Sequence, residues 1–188
     1  RIITGCIIAP IALACVFLLP PFEFSLFVAA VITVGAWEWG NLGGLSQPYT
    51  YVYALIVAAT LASVSIFLFP LFLPILYASL VWWFVALIFV LNYPSLTKVW
   101  GQPFVILLIG MMVLLAGFVA LVEIKKLPES NYLICMLFFL IWGADIGAYF
   151  SGKAFGRRKL APRVSPGKSW AGFYGGLLIA TLIALGMS

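Results

Sequence analysis

Histidine is absent from the 188 residues, and charged side chains of either sign make up only 8% of them. Without imidazole, the commonest metal ligand in proteins is missing, as is the side chain that most readily exchanges protons near neutral pH. The three cysteines, Cys6, Cys15 and Cys135, lie inside apolar runs and form no CxxC pair. They indicate small buried side chains, so a disulfide framework and a cysteine metal site are both disfavoured.

What the chain has in abundance is apolar side chain, which amounts to 65% of its residues. Soluble domains are about 45–50% apolar and about 25% charged. A water-soluble fold could not cover this much hydrocarbon. The apolar stretches recur along the whole sequence, which a secretory signal does not explain. The composition therefore predicts an integral membrane protein.

About 20 mostly apolar residues are needed to cross a bilayer as a helix. We predict an all-α, polytopic fold of about seven such helices, forming a single transmembrane domain over residues 1–188. The predicted spans are Ile2–Leu19, Phe24–Trp39, Tyr51–Phe69, Leu71–Leu91, Pro103–Val122, Tyr132–Phe150 and Pro166–Met187. Only Pro70 separates the third span from the fourth, so a kinked pair is an alternative there.

Basic residues predict the orientation, because cytoplasmic loops carry an excess of lysine and arginine. Six bases with no acid among them fall within 16 residues of sequence: Lys153, Arg157, Arg158, Lys159, Arg163 and Lys168. With the N-terminus and Arg1 in the cytoplasm, this cluster and Lys98 lie inside. The bases at 125–126 then lie outside, where Glu123 and Glu129 offset them. We therefore expect an N-in topology.

A basic, hydroxyl-bearing stretch, PRVSPGKSW, interrupts the apolar sequence before the last predicted span. Ser165 followed by Pro166 is typical of a helix N-cap and first helical residue. The free backbone N–H groups of such a helix end bind anions. Gly167 would allow close approach, Lys168 suits phosphate, and Ser169 adds a hydroxyl. We expect a phosphate site, with Lys159 and Arg163 at its mouth.

Two other interpretations of this stretch are a nucleotide-binding P-loop and a loop that only sets topology. It is not a Walker A motif, because Pro162 stands where GxxxxGK[ST] requires glycine and no buried strand precedes it. It could also be a loop that only sets topology and touches anionic headgroups. That interpretation is favoured for the bases at 153–159 alone. SPGKS favours a binding site, since topology does not require a glycine turn with two hydroxyls.

Asp145, in WGADIGAYFSG, is the acid farthest inside a predicted span. It lies about six residues from the helix end, hence about 9 Å deep. A carboxylate at that depth is costly unless it faces protein, water or a cation, which makes Asp145 a functional candidate. Gly143 and Gly147 form a small-xxx-small pair that permits close helix approach. The alternative is an aspartate hydrogen-bonded to a tyrosine or a neighbouring helix.

WEWGNLGG, at 37–44, places Glu38 near the end of the second predicted span. The two tryptophans are typical of a membrane interface. Gly40, Gly43 and Gly44 are expected to end the helix and form a turn. For Glu38, pairing with a loop lysine is at least as well supported as a catalytic role.

WEWGNL at 37–42 and WGADIGAYFSGKAFGRRKLAPRVSPGKSWAGF at 142–173, with the apolar helices between, resemble bacterial phosphatidate cytidylyltransferase, or CDP-diacylglycerol synthase. The resemblance implies Mg²⁺-dependent transfer of CMP from CTP to phosphatidate at the cytoplasmic face of the inner membrane. It implies catalytic roles for Asp145, also a possible metal ligand, and Lys168. The implied substrate-binding residues are Ser165, Gly167, Ser169, Arg163 and Lys159.

The chain departs from that family in two respects. Family members continue to an acid-rich C-terminal signature that binds the metals, whereas this sequence stops at Ser188. We therefore expect the N-terminal part of a longer architecture, with little activity alone. Ile146 stands where members often have a hydroxyl residue. The expected partners are CTP, phosphatidate and membrane lipid, with a homodimer as an open alternative and no nucleic acid.

Other functions were considered. A CTP-dependent lipid kinase of the polyprenol type would share the nucleotide site and transfer a different phosphorus. A transporter or channel subunit would use Asp145 as its ion site, but that reading expects polar residues along several helices. A purely structural membrane subunit is a further alternative.

Overall fold

The computed structural model describes residues 2–67 and 71–188, and for residues 2–7 it describes the backbone alone. The chain divides into two compact units, Arg1–Leu127 and Pro128–Ser188. The single transmembrane domain expected over residues 1–188 stays a prediction. Helices dominate both units, which confirms the all-α class.

The first unit consists of apolar helices in an all-helical core. They are α1 (Ile2–Leu18), α2 (Pro21–Leu42), α3 (Tyr49–Phe67), α4 (Phe72–Leu91), the single turn α5 (Thr97–Trp100) and α6 (Pro103–Lys125). Proline begins both α2 and α6, at the position where its missing N–H costs no helical hydrogen bond. The side chains of Val57, Leu61, Phe118 and Val119 are almost fully buried in this core.

Helix α2 ends in a glycine turn, as its sequence predicts. Gly44 has φ +81°, the N–H of Leu45 donates to Gly40 O at 3.0 Å, and the N–H of Gly44 donates to Asn41 O at 3.0 Å. This is a Schellman motif, which requires one residue in the left-handed conformation, and glycine adopts that conformation without strain. Gly40 has a second role, because it packs against Thr50 at the start of α3. The expected glycine helix end is confirmed.

The second unit is a helix pair with a small hairpin at one end. It comprises α7 (Ser130–Phe155), β1 (Lys159–Ala161), β2 (Ser165–Ser169) and α8 (Trp170–Gly186). The two strands pair antiparallel. The two helices also run antiparallel, since Gly152 faces Gly172 at the hairpin end and Gly143 faces Ile183 at the other.

Small residues bring α7 and α8 into backbone contact. A Cβ atom added at Gly147 would lie 2.7 Å from Gly175 O, and one added at Gly176 would lie 2.8 Å from Ala144 O. Neither position accommodates a larger side chain without separating the helices. The close helix approach predicted from Gly143 and Gly147 is confirmed. The sequence analysis did not identify the glycines of α8 in this contact, Gly175 and Gly176.

Five described helices are long and apolar enough to cross a membrane: α2, α3, α4, α6 and α7. The other two predicted spans correspond to α1 and α8, which are apolar but have only 17 residues each. The chain is thus a multi-pass membrane protein. The expectations that rest on Arg1, on the end of the third span at Phe69 and on Pro70 lie outside the described residues.

Candidate functional site

The SPGKS segment is a strand, so the predicted helix start at Ser165 and Pro166 is wrong. Helix α8 begins four residues later, at Trp170, and its N-cap is Ser169, whose Oγ accepts a hydrogen bond from the N–H of Gly172 at 3.2 Å. Both serines suit a cap. Residues 165–169 instead pair as a strand with Lys159 and Ala161, so the helix begins only after Ser169.

The free backbone N–H groups of a helix end are therefore not at Gly167, where the sequence predicted them. Gly167 and Lys168 belong to β2, not to the first turn of a helix. The real first turn of α8 uses two of its N–H groups within the protein: Trp170 N–H donates to Arg158 O at 3.1 Å, and Gly172 N–H donates to Ser169 Oγ. Any phosphate binding by this corner therefore rests on side chains and on the strand.

The strand β2, which carries SPGKS, contains a bulge. Lys159 is the partner of Ser169 and Ala161 is the partner of Ser165. Three residues of β2, Pro166, Gly167 and Lys168, therefore stand against one residue of β1. Proline and glycine are tolerated in strands at bulges, and a bulge re-aims the side chains it carries.

The hairpin and the helix pair enclose an open cleft of about 890 Å³. Its floor is made of small residues from both helices: Ala144, Ala148, Gly152, Gly172, Gly176 and Ala180. One wall is a stripe on α7 formed by Asp145, Tyr149 and Lys153, and α8 provides Phe173 and Leu177. Ser165, Gly167, Lys168 and Ser169 line the hairpin end. The cleft exists because the glycine contact leaves its floor without side-chain bulk.

Charge is distributed unevenly along this cleft. Lys153 and Lys168 line it at the hairpin end, and the Lys153 ammonium lies 5.9 Å from the centre of the Tyr149 ring. Asp145 lies eight residues before Lys153, hence about 12 Å away along the helix. Its carboxylate is exposed and forms no hydrogen bond or ion pair within the described part of the chain. The cleft is therefore cationic at one end and anionic farther in.

Five of the seven predicted site residues line this single cleft: Asp145, Ser165, Gly167, Lys168 and Ser169. Ser169 is only 5% exposed, and its hydroxyl is engaged as the cap of α8. The other two do not line it. Lys159 is exposed on β1, and Arg163 is exposed in the turn between the strands.

Lys153 is the cleft residue that the sequence analysis assigned to topology alone. Its spacing of eight residues from Asp145, two turns along one helix face, was the signal that could have identified it. Glu38 is exposed near the end of α2 in the first unit, and its role stays a prediction.

A complete Mg²⁺ site does not fit the residues present. Across residues 2–67 and 71–188, no group of three or more cysteine, aspartate or glutamate side chains comes together. Asp145 is the one carboxylate among the residues that line the cleft. A magnesium ion held by protein uses one or two carboxylates together with substrate phosphates and water, so this cleft could contribute a single ligand.

Comparison with known proteins gives a consistent result. The cytidylyltransferase family profile matches residues 1–188. The phosphatidate cytidylyltransferase of Pseudomonas aeruginosa is 50% identical over 94% of this chain and 65% of its own length. That of Haemophilus influenzae is 36% identical over 98% of this chain and 70% of its own length. That of Bacillus subtilis is 36% identical over 53% of this chain.

The chain thus spans about two thirds of the length of the first two relatives. No solved structure matches it. Because the family profile covers every residue from first to last, the chain belongs to the cytidylyltransferase family.

Proposed function

We propose that this chain forms the nucleotide-phosphate end of a phosphatidate cytidylyltransferase, which makes CDP-diacylglycerol and pyrophosphate from CTP and phosphatidate. The observation that carries the proposal is the single cleft in which Lys153 and Lys168 face a small-residue floor. Similarity to proteins of that name supports the choice of substrates.

The reaction needs no nucleophile from the protein. A phosphate oxygen of phosphatidate attacks the α-phosphorus of CTP, the bond from that phosphorus to the bridging oxygen breaks, and pyrophosphate leaves with the bond's electron pair. Such transfers depend on positioning the reactants and on neutralising charge. The absence of histidine from the sequence is therefore compatible with this chemistry.

Within the cleft, Lys153 and Lys168 would neutralise the triphosphate and the leaving pyrophosphate. Ser165 would donate a hydroxyl hydrogen bond at the same end. A Cβ added at Gly167 would meet nothing within 4 Å, so this position leaves space for a phosphate against the strand. Ser169 would act through Lys168, because its cap fixes the residue at which the strand ends and α8 begins.

Lys159 and Arg163 are assigned a different role, since both are exposed outside the cleft. We propose that they attract the phosphate of the lipid substrate at the headgroup level of the inner membrane, on its cytoplasmic side. Basic side chains next to membrane helices are attracted to anionic lipid there. Mg²⁺ is proposed to accompany the CTP phosphates at the lysine end of the cleft, about 12 Å from Asp145, so its protein ligands would come from outside this cleft. A homodimer stays a prediction.

Binding of CTP to the purified chain in detergent tests the proposal. Lys168→Gln should weaken CTP binding about tenfold or more, because a charge-assisted hydrogen bond to phosphate is lost. Arg157→Gln is the matched control: it removes one charge from an exposed residue of the same segment that does not line the cleft. Equal affinities for the Lys168 variant and the control would contradict the proposal.

Reaction products separate this function from the lipid kinase alternative. Transfer of CMP gives a CDP-lipid and pyrophosphate, whereas a CTP-dependent kinase gives a phospholipid and CDP. The transporter alternative receives no support from the geometry, because Asp145 shares its cleft with two lysines at one end of a helix pair.

A further inference from the structure

The cleft has a polarity that the phosphate site alone does not explain. Lys153 and Lys168 lie at its hairpin end, and Asp145 lies about 12 Å farther along α7. Tyr149 stands between Asp145 and Lys153 on the same helix face. An ionised carboxylate only accepts hydrogen bonds. The matching ligand is therefore anionic at one end and carries N–H donors at the other.

A cytidine triphosphate has this polarity, with its phosphates at one end and its base at the other. Cytosine presents an exocyclic amino group, N4, as a donor, and carboxylates accept hydrogen bonds from it. Uracil carries an oxygen acceptor at the same place, which a carboxylate would repel. Building on the proposed function, we propose that Asp145 reads the base through cytosine N4 and selects CTP over UTP.

The surroundings of Asp145 suit a flat base. The floor beside it consists of Ala144, Ala148 and Gly176, and the apolar side chains of Phe173 and Leu177 line the same cleft. Tyr149 is exposed along the path from Asp145 to Lys153 and offers an aromatic face. Bases stack on such faces regardless of sequence, so Tyr149 supplies stacking while Asp145 supplies discrimination.

This role differs in its consequences from metal binding. A carboxylate that holds a cation beside the phosphates would affect every nucleoside triphosphate alike, because all share the same phosphates. A carboxylate that reads N4 would affect only the ranking of the bases. Changing Asp145 to its amide separates the two, since asparagine keeps the size, loses the charge and can donate to the uracil oxygen.

The experiment measures dissociation constants of CTP and UTP for the purified full chain, with and without Mg²⁺. The unaltered chain should prefer CTP, and Asp145→Asn should reduce that preference about tenfold or more by weakening CTP and strengthening UTP. Asp145→Ala should also reduce the preference, by weakening CTP and removing the repulsion of UTP, but it should bind UTP less well than Asp145→Asn because alanine offers no donor. Size-exclusion profiles and helicity of both variants confirm that the fold is intact.

Three results would overturn the assignment: no preference for CTP in the unaltered chain, equal weakening of both nucleotides by Asp145→Asn, or no change in either. Lys168→Gln is the control for the phosphate end and should weaken CTP and UTP by the same factor. The two proposals fail differently. If the unaltered chain does not bind CTP at all, the proposed function fails. If it binds CTP through Lys168 and the Asp145→Asn ratio is unchanged, only the base-reading role fails.

Discussion

Ser169 Oγ accepts the N–H of Gly172 at 3.2 Å, and this hydrogen bond fixes the start of α8 immediately after Ser169. The same Oγ lies close to α7, since a Cβ atom added at Gly152 would be 3.3 Å from it. One buried hydroxyl therefore defines where the strand ends, where the helix begins and how closely the two helices meet.

Removing that hydroxyl should destabilise the second unit. Ser169→Ala is expected to lower the free energy of unfolding by about 1 kcal/mol, because an N-cap is lost. Ser169→Thr should retain most of the stability, since threonine also caps helices. Titration with denaturing detergent, followed by circular dichroism, measures the difference. Ser165→Ala is the control, and a loss as large as that of Ser169→Ala would contradict the assignment of the cap.

The backbone contact between α7 and α8 should not tolerate a methyl group. At Gly147 a Cβ atom would lie 2.7 Å from both Gly175 O and Ile179 Cγ1. Gly147→Ala is therefore expected to cost about 1–3 kcal/mol of stability, as overpacked cores do. Gly117→Ala in α6 is the control, because a Cβ there meets nothing within 4 Å. Similar unfolding curves for the two variants would argue against a tight backbone contact between α7 and α8.

Substitution of Gly167 should affect stability less than substitution of the glycines between α7 and α8. Its added methyl group would meet no atom of the second unit within 4 Å, so Gly167→Ala should fold normally. If a phosphate lies against the strand at this residue, the methyl group occupies its space and CTP affinity should fall severalfold. Thermal stability and CTP affinity measured on the same preparation check the expected folding and the expected loss of binding. Unchanged affinity would show that the phosphate does not approach Gly167.

In the first unit, a buried lysine side chain donates a hydrogen bond to a backbone carbonyl near the end of α1. Residue 20 is proline, which has no N–H to donate to Val16 O, and Lys125 Nζ donates to that carbonyl instead. Lys125 is only 6% exposed and lies 5.1 Å from the centre of the Phe24 ring. Lys125→Met should cost about 1–3 kcal/mol, because a buried carbonyl loses its donor.

The neighbouring lysine supplies the control for that change. Lys126 is partly exposed and pairs with Glu123 one turn earlier. Exposed ion pairs contribute about 0–1 kcal/mol, so Lys126→Met should change the unfolding midpoint little. If both variants lose the same stability, the hydrogen bond from Lys125 to Val16 is not the reason.

Sequence patterns were sufficient for the apolar helices and for the small-residue contact, because hydrophobic length and glycine spacing are local signals. They were insufficient for the hairpin. Ser165 and Ser169 each precede a plausible helix start, and the choice between them depends on pairing with Lys159 and Ala161, which is not a local property. The two lysines 125 and 126 also look alike in sequence, and only the contacts of Lys125 with Val16 O and the Phe24 ring separate their roles.

The candidate site was predicted in part for a similar reason. Asp145 and Lys168 stand out because a charge in an apolar setting is conspicuous. Lys153 does not, since it sits in a run of bases whose ordinary role is topology. Its place in the cleft follows from helix geometry, two turns from Asp145 on one face, and from the bulge that brings Lys168 to the same end.

The hydrogen bond between Val16 and Lys125 joins residues 109 positions apart. During synthesis, α1 and α2 emerge long before α6 does, and until then the carbonyl at Val16 has no donor from the chain. The pair formed by α1 and α2 therefore lacks this hydrogen bond until α6 has entered the bilayer. A ribosome stalled before residue 125 would leave the carbonyl of Val16 without the Lys125 donor.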